Sequence, residues 1–188
     1  MMVKLWSRLW AAFWFWRGSR FRQIKRLQIE SALYGRKIRR VAKSVGRFLV
    51  VRAPSSVTCR TTVGEGCVFN GVHIYGDGEV TIGDHVIFGH GTVVYSANHD
   101  YDTGESLPYG TGWTPKAVHI GDCVWIASRV IVLPGARIGE GAIIQAGAVV
   151  HGEIPPLAIA GGNPAKVFAW RDKAHYEELK SRGRFVLA

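Results

Sequence analysis

Large aliphatic residues recur every six positions over the C-terminal half of this 188-residue chain. The series comprises Ile120, Ile126, Val132, Ile138, Ile144 and Val150, and smaller apolar residues follow four positions later at Val124, Val130, Ala136, Ala142 and Ala148. Six is neither a helical period nor a simple strand alternation, and it suits a short strand followed by a corner. Stacked coils bury a column of Ile and Val that no single repeat buries alone. The period therefore predicts an all-β parallel solenoid, because the strands of a β-sandwich would not hold one register for over thirty residues.

The same register is present upstream, where it is less regular. Ile82, Phe88 and Val94 fit it, and further back it loosens to Val63, Val68, Ile74 and Val80. We place a slip of one residue near Gly76-Asp77-Gly78. Glycine accounts for 23 residues, above the usual share, and its recurring positions indicate tight turns.

The period breaks once, between Val94 and Ile120, in a polar stretch. We predict that residues 96–117 form a loop ejected from the solenoid, and such a loop is usually functional because it adds nothing to the stack. The loop contains His99, with Asn98, Asp100 and Asp102 beside it. A neutral imidazole can remove the proton of a hydroxyl that attacks a carbonyl, so His99 is the candidate general base. Asp100 or Asp102 would orient it or bind acceptor hydroxyls, and we favour Asp102 as the orienting group.

Positive charge is concentrated at the N-terminus. Residues 1–60 hold fifteen Lys/Arg and one acid, and residues 61–188 carry a net charge of −4. Trp6, Trp10, Phe13 and Trp14 recur at helical spacing, and five cations follow within residues 17–26. Tryptophan beside Lys/Arg suits an anionic membrane surface, which we predict residues 1–26 to bind. The alternative is a helix that packs on its own domain or on a neighbouring subunit; nucleic-acid binding is disfavoured because no recognisable motif is present.

Three segments follow from these patterns. Residues 1–47 form a basic, Trp-rich helical arm, residues 48–170 the solenoid domain, and residues 171–188 a C-terminal helix and tail. The stretch from residue 31 to 52 is interpreted as a lead-in helix followed by a first strand at Phe48–Val51. Residues 172–182 form a short solvated helix, with His175 on its surface.

A set of short motifs within residues 60–170 resembles the hexapeptide-repeat acyltransferases. The matching segments are Ile120–Ser128, Leu133–Gly135, Ile138–Gly139, Ala146–Gly147, Ile154–Pro156 and Ala160–Ala165. Within this family the chain resembles galactoside and maltose O-acetyltransferases and the O-acetyltransferases of bacterial capsule, O-antigen and exopolysaccharide synthesis. The resemblance implies a left-handed β-helix, a homotrimer with active sites between subunits, and acetyl-CoA as co-substrate.

The resemblance also implies roles for particular residues. Family members carry their catalytic histidine sixteen residues after the Gly of an Ile-Gly-Asp motif, as Gly83 and His99 are here. An asparagine one coil earlier contacts the acceptor, and Asn70 is the nearest match, with a plain turn residue as the alternative. The donor would be bound by residues on the last coils, namely Trp125, Ser128, Ala146, Gly147 and Lys166. Trp125 would otherwise pack between subunits. The Thr-Lys pair common before Ile-Pro-Pro is His151-Gly152 here, so one expected cation is missing.

Two other classes compete with a sugar O-acetyltransferase. A γ-class carbonic anhydrase shares the repeat but needs three zinc-binding histidines. His85 and His90 are present, but Tyr95 stands where another is expected, so we predict no metal site. The three cysteines lack a CxxC spacing and are expected to be reduced core fillers. A membrane-associated repeat scaffold without activity is the non-enzymatic alternative, and it leaves the ejected loop unexplained.

The expected function is therefore transfer of an acetyl group from acetyl-CoA to a hydroxyl of a sugar or lipid-linked glycan in cell-surface polysaccharide synthesis. An antibiotic or other small-molecule acceptor is the alternative. The predicted location is cytoplasmic, with peripheral attachment to the inner membrane through the arm.

Overall fold

The structure is a computed structural model that describes residue 29 and residues 31–187. The aromatic helix predicted within residues 5–16 lies outside the described residues. The described chain begins with a helix, α1, over residues 31–41, and residue 29 is also helical. Ile38 on α1 is buried, and Tyr34 and Ala42 pack beside it against the core. The helix therefore covers the first end of the solenoid, as the predicted lead-in helix would.

Nearly all strands belong to three parallel sheets, which form the three faces of a left-handed β-helix of about six turns. Sheet 1 consists of β1 (Ser44–Val45), β3 (Thr61–Val63), β6 (Val80–Ile82), β11 (Val118–Ile120), β14 (Arg137–Ile138) and β17 (Glu153–Ile154). Sheet 2 consists of β2 (Val50–Ala53), β4 (Val68–Asn70), β7 (Ile87–Phe88), β12 (Trp125–Ile126), β15 (Ile143–Ile144), β18 (Ala158–Gly161) and an antiparallel edge strand, β19 (Lys166–Trp170). Sheet 3 consists of β5 (Val72–Tyr75), β8 (Thr92–Tyr95), β13 (Ile131–Val132) and β16 (Val149–Val150).

The six-residue series lies inside the helix, as predicted. Every member from Ile120 to Val150 is at most 3% exposed, and so are the smaller residues that follow them. Ile120 pairs with Ile82 and with Ile138 in adjacent coils, so like residues stack on like. The prediction of a solenoid with one continuous core is confirmed.

The upstream register contains one extra residue, as predicted, since Val63 and Ile82 pair 19 positions apart, but two of its inward positions differ from the prediction. Phe69, not Val68, pairs with Phe88, and Ile82, not Val80, pairs with Val63. The inward step therefore shortens to five residues between Phe69 and Ile74 and lengthens to eight between Ile74 and Ile82. The longer step contains Gly76-Asp77-Gly78, and Gly76 has a φ of 98°, which favours glycine.

The first coil begins earlier than residue 48. Val45 pairs with Val63 in sheet 1, and Val51 pairs with Phe69 in sheet 2. Val45, Val51, Val57 and Val63 are themselves spaced by six, a signal that the sequence contained and that we did not use. The placement of the first strand at Phe48–Val51 was therefore wrong by one strand; the three-part division of the chain otherwise stays a prediction.

Residues in the left-handed backbone region form columns along the edges of the triangular helix. On the edge between sheets 2 and 3 these are Gly71, Gly91, Arg129 and Gly147. On the edge between sheets 1 and 2 they include His85, Cys123 and Leu157 beside glycines. Each coil therefore turns its corners with the same backbone conformation, whether or not the residue is glycine.

The C-terminal helix, α2 (Lys173–Ser181), docks on the last coils through Tyr176 and through an ion pair between Lys180 and Glu140. Tyr176 is buried, and its hydroxyl donates to Glu140 at 2.9 Å. Burial and this hydrogen bond raise the pKa of the Tyr176 hydroxyl. Asp172 caps the helix by accepting from the His175 N–H, and His175 itself is exposed, as predicted.

Candidate active site

The ejected loop leaves the solenoid after β8 and returns before β11. Ile82 and Ile120 are register partners 38 residues apart, whereas Ile120 and Ile138 are 18 apart, so the insertion is worth 20 residues. Its two ends meet at the surface of the solenoid, where the Lys116 N–H donates to the Ser96 carbonyl at 2.8 Å. The coils above and below therefore stack as if the loop were absent.

A short hairpin fixes the start of the loop. β9 (Ala97–His99) pairs antiparallel with β10 (Trp113–Pro115), and His99 stands opposite Trp113. The Asp100 N–H donates to the Gly112 carbonyl, and the Gly110 N–H donates to the Asp100 carbonyl. The predicted base is thus placed on a hydrogen-bonded ladder and not on a free loop tip.

His99 is half-buried between two aromatic side chains. Its ring lies 3.8 Å from that of Tyr109 at 17°, and 4.0 Å from that of Trp113 at 33°, measured between centroids. Sequence reasoning did not identify these two residues as part of the site. The only signal for Trp113 was its position near the end of a polar loop, which does not reveal a cross-strand partner.

The Asp100 carboxylate bonds to Thr103, and no hydrogen bond joins it to the imidazole. It accepts from the Thr103 N–H at 3.0 Å and from the Thr103 hydroxyl at 2.8 Å. These bonds hold the pKa of the Asp100 carboxyl below its usual value. Asp102 is exposed. The roles predicted for both residues stay predictions, but the Asp100 side chain is committed to the turn that builds the loop.

A groove of about 380 Å³ lies at the base of the loop. Asn98 and Lys116 line it from the loop, and Leu133 and His151 line it from the next two coils. His151, which replaces the expected threonine, therefore faces the same space as the residue before the candidate base. The groove therefore combines polar, charged and apolar side chains beside the loop.

Three of the five predicted donor-binding residues lie on a different edge, between sheets 2 and 3, and the other two lie on strands of sheet 2. Ser128 and Ala146-Gly147 occupy equivalent turns of neighbouring coils, where the Gly147 N–H donates to the Ser128 carbonyl at 3.0 Å. A Cβ at Gly147 would meet no atom within 4 Å, so this turn is open. Lys166 begins the edge strand β19 and is exposed.

Asn70 is the last residue of β4, directly before the corresponding turn two coils before Ser128. Its side-chain amide donates to the Phe88 carbonyl at 2.6 Å, which ties one coil to the next. Asn70 and His99 therefore lie on two different edges of the same chain, with sheet 3 between them. Within one chain, Asn70 therefore lies on the same edge as the donor-binding turns and on a different edge from His99.

Trp125 projects from sheet 2 and is 51% exposed. It lines a groove of about 390 Å³ together with Tyr176 and Lys180 of α2 and with Phe185 of the tail. Phe185 stacks on His85 at 3.9 Å. The outer surface of sheet 2 is thus partly covered by the C-terminal segment, with Trp125 at the open side.

Metal ligands and a membrane span are not found in the part of the chain that the structure describes. No three or more His, Cys, Asp or Glu side chains come together there as a metal-binding group. None of its helices is both long and apolar enough to cross a bilayer. Cys67 is buried in the core as expected, but Cys59 is exposed, so the expectation that all three thiols fill the core was wrong for Cys59.

The coils, the single ejected loop and its histidine define a β-helix transferase of the hexapeptide-repeat class, and comparison with known proteins agrees. Residues 117–152 match the family model described as bacterial transferase hexapeptide (six repeats). The Escherichia coli protein named as the colanic acid biosynthesis acetyltransferase WcaF is 30% identical over 71% of this chain and 72% of its own length. The chain belongs to the hexapeptide-repeat acetyltransferase family.

Solved structures show the same relationship. A hexapeptide-repeat acetyltransferase from Vibrio cholerae, complexed with acetyl coenzyme A, matches with a TM-score of 0.64 at 28% identity, over 71% of this chain and 74% of that one. A galactoside acetyltransferase in complex with coenzyme A matches with a TM-score of 0.62 at 28% identity, over 71% and 67%. The match spans only 41% and 54% of two further curated relatives, from fission yeast and Bacillus subtilis.

Proposed function

We propose that this protein transfers an acetyl group from acetyl-CoA to a sugar hydroxyl, with His99 as the general base. The observation that carries the proposal is the 20-residue insertion, which interrupts otherwise regular coils and holds the His99 imidazole at a fixed place on a hairpin. A solenoid needs no such loop for its stability, so the loop is retained for another purpose.

The chemistry requires few groups. The imidazole takes the proton of the acceptor hydroxyl as its oxygen attacks the thioester carbonyl, and a tetrahedral oxyanion forms. When the oxyanion collapses, the carbon–sulfur bond breaks, and the imidazolium returns its proton to the departing thiolate of coenzyme A. The products are the acetyl ester and the free thiol, and the base is regenerated.

The donor is proposed to lie along the edge between sheets 2 and 3. The open turns at Ser128 and Ala146-Gly147 allow a chain of amides to approach the backbone closely, because nothing occupies the space above Gly147. The exposed Trp125 ring would pack on the pantetheine arm, and Lys166 would face the phosphates. Similar structures complexed with acetyl-CoA or coenzyme A support acetyl-CoA as the donor.

The separation of His99 from the donor-binding turns within one chain supports a homotrimer whose active sites are shared between subunits. His99 projects from the edge between sheets 3 and 1, and the donor-binding turns lie on the next edge, so one chain does not bring them together. The outward residues of the last three strands of sheet 3 are apolar, with Ile131 37% exposed between Val93 and Val149 of the adjacent coils. In β5 the same position is occupied by His73. The corresponding positions of sheet 1 are polar, as at Thr81, His119 and Arg137. An apolar face beside a half-site favours contact with a second copy.

The acceptor is proposed to be a hydroxyl of a surface polysaccharide or of its lipid-linked precursor. The similarity to WcaF, which is named for colanic acid biosynthesis, supports a glycan over an antibiotic. Asn70 and Asp102 are the residues we propose to contact the acceptor hydroxyls.

His99→Ala provides the direct test of the proposed activity. We expect release of coenzyme A in the presence of a galactoside or a polysaccharide fragment to fall by about 10²–10⁴-fold, the usual contribution of a general base. The melting temperature should be unchanged, because the loop lies outside the core. Unchanged turnover in this variant would overturn the proposal.

Shared sites are tested by mixing two inactive variants. His99→Ala and Trp125→Ala subunits, refolded together, should regain activity that neither parent has, because some interfaces combine an intact base with an intact donor groove. Analytical ultracentrifugation should give three copies for each parent. A mixture that stays inactive although the parents form mixed trimers contradicts sharing.

Residues 1–26 are proposed to attach the enzyme to an anionic membrane surface. The outward face of α1 likewise combines apolar and cationic side chains. Leu33 is 56% exposed and lies beside Arg36, Lys37 and Arg40. Aliphatic side chains and cations on one helix face suit the lipid headgroup region. The full chain should co-sediment with phosphatidylglycerol vesicles and not with neutral ones, and deletion of residues 1–26 should abolish this. Lack of binding by the full chain would count against attachment.

A further inference from the structure

Both faces of the His99 imidazole are covered by aromatic rings. Tyr109 lies on one side and Trp113 on the other, each with its centroid about 4 Å away. The imidazole rotates about its Cβ–Cγ bond, which lies in the ring plane, so rings stacked on both faces oppose this rotation. Only its edge, which carries the two nitrogen atoms, stays open. Because the lone pair of an imidazole nitrogen lies in the ring plane, the open edge is the part that a general base needs.

No hydrogen bond orients the same imidazole within residues 31–187. The nearest carboxylate along the chain, that of Asp100, accepts both of its bonds from Thr103. None of the side-chain hydrogen bonds among the described residues reaches either nitrogen of His99. Stacking on Tyr109 and Trp113 is therefore the restraint that the structure shows for this ring.

We propose that Tyr109 and Trp113 are positioning residues, which hold the edge of the His99 imidazole towards the acceptor hydroxyl by stacking on its two faces. This inference rests on the proposed role of His99 as the base. Stacking takes over part of the orienting role that a carboxylate or carbonyl has in other histidine bases.

The loop is built to keep both rings in place. Trp113 is the register partner of His99 across the hairpin, so the backbone ladder itself sets its position. Tyr109 is held from the far side, because the Ser106 hydroxyl donates to its carbonyl and the next residue, Gly110, is buried against Gly104. A Cβ on Gly104 would come within 2.5 Å of the Gly110 nitrogen, so the backbones touch here.

Each ring keeps an outer surface open to solvent. Tyr109 is 46% exposed and Trp113 is 55% exposed. An acceptor sugar could stack on these surfaces, and that alternative predicts a different kinetic effect. Loss of positioning lowers kcat because the base leaves its attack geometry, whereas loss of a binding platform raises the KM for the acceptor.

The test compares leucine and phenylalanine at both positions. Trp113→Leu and Tyr109→Leu should each lower kcat by about 10- to 100-fold with acetyl-CoA and a methyl galactoside, because a displacement of the order of 1 Å costs about that much. The KM values of both substrates should change by less than about threefold. Trp113→Phe and Tyr109→Phe keep a stacked ring and should restore most of kcat. Tyr101→Leu is the matched control, since Tyr101 is an exposed tyrosine of the same loop that stacks on no ring among the described residues.

A second measurement does not depend on the acceptor. In the NMR spectrum, the His99 Hε1 signal, identified by its loss in His99→Ala, should be displaced upfield by ring currents in the wild type. The displacement should be lost in the leucine variants and kept in the phenylalanine variants.

The possible outcomes separate the inference from the function on which it rests. If His99→Ala abolishes turnover but the leucine variants keep their kcat, the base is correct and positioning by stacking is wrong. A rise in acceptor KM at constant kcat also overturns positioning. If His99→Ala leaves turnover intact, the proposed function itself fails.

Discussion

The coils of residues 117–152 and the loop of residues 96–117 differ in what fixes their structure. In the coils every sixth side chain is buried and pairs with its equivalent one coil away, so each residue is specified by a repeated environment. In the loop, residues 101–109 are all exposed, and order comes from individual contacts such as the stack on His99. Burial thus stabilises one region, and specific contacts shape the other for chemistry. Four changes, in decreasing order of expected effect, test this contrast.

Excision of the loop is the most severe test. Deleting residues 97–116 places Val94 six residues before Ile120 and restores the unbroken period. We expect a folded protein whose melting temperature is within a few degrees of the wild type, and complete loss of acetyl transfer. Circular dichroism and thermal melting measure the first effect, and release of coenzyme A measures the second. A chain that fails to fold would show that the loop also supports the coils.

Ile126→Ala tests the coils, where we expect a loss of stability that the excision of the loop should not cause. Ile126 is fully buried, stacked between Phe88 and Ile144. The lost burial and the cavity should lower the free energy of unfolding by about 2–5 kcal/mol, measured by urea denaturation. Ile126→Val is the matched control, with an expected loss of about 0.5–1.5 kcal/mol. Equal losses in both variants would mean that the column is loosely packed.

The pH dependence of stability should report the buried thiol of Cys67. Burial raises the pKa of Cys67 from 9.0 to about 11. Above pH 9 the unfolded chain loses this proton while the folded chain keeps it, so stability is full below pH 9 and falls as the pH rises to 11. The loss at pH 11 is about 2–3 kcal/mol, since one pKa unit corresponds to about 1.4 kcal/mol.

The contribution of Cys67 is isolated by substitution. In Cys67→Ala the decline between pH 9 and 11 should be shallower by this amount, whatever the stability at neutral pH. Cys59→Ala, at an exposed thiol, is the control and should leave the decline unchanged. Identical pH profiles for Cys67→Ala and the wild type would contradict the assignment.

The smallest expected effect concerns one corner of a coil. Arg129 has a φ of 58°, in a column otherwise formed by Gly71, Gly91 and Gly147. Arg129→Gly should therefore raise the free energy of unfolding by up to about 1 kcal/mol, because strain in the left-handed region is relieved. A urea denaturation curve at neutral pH measures the difference. Arg137→Gly, in a strand of sheet 1, should instead be destabilising.

Much of the fold could be predicted because the pattern is local. The periodic aliphatic residues, the break after Val94 and the position of α2 all followed from spacing in the sequence. The upstream register was harder, since Phe69 and Ile82 are inward-facing only because the steps around Ile74 have five and eight residues. A period with unequal steps cannot be counted from the sequence without the pairing partners.

The candidate site was less predictable than the fold. His99 was identifiable because an interruption in a regular period is itself a signal. Tyr109 and Trp113 were not, because they lie ten and fourteen positions after His99 in a polar loop and no period relates them to it. The hydrogen bond from Thr103 to Asp100 was not predictable either. An aspartate next to a histidine suggests an orienting role until its hydrogen bonds are known.

The sequence by itself determined that the chain forms stacked six-residue coils, that one loop leaves them, and that positive charge lies at the N-terminus. These properties depend on residue type and spacing, which the sequence gives without any knowledge of the structure. Only the tertiary structure decided which rings enclose His99 and which edge carries the donor-binding turns. Those relations join residues that are distant in sequence, and they arise when backbone hydrogen bonds close the hairpin and align the coils.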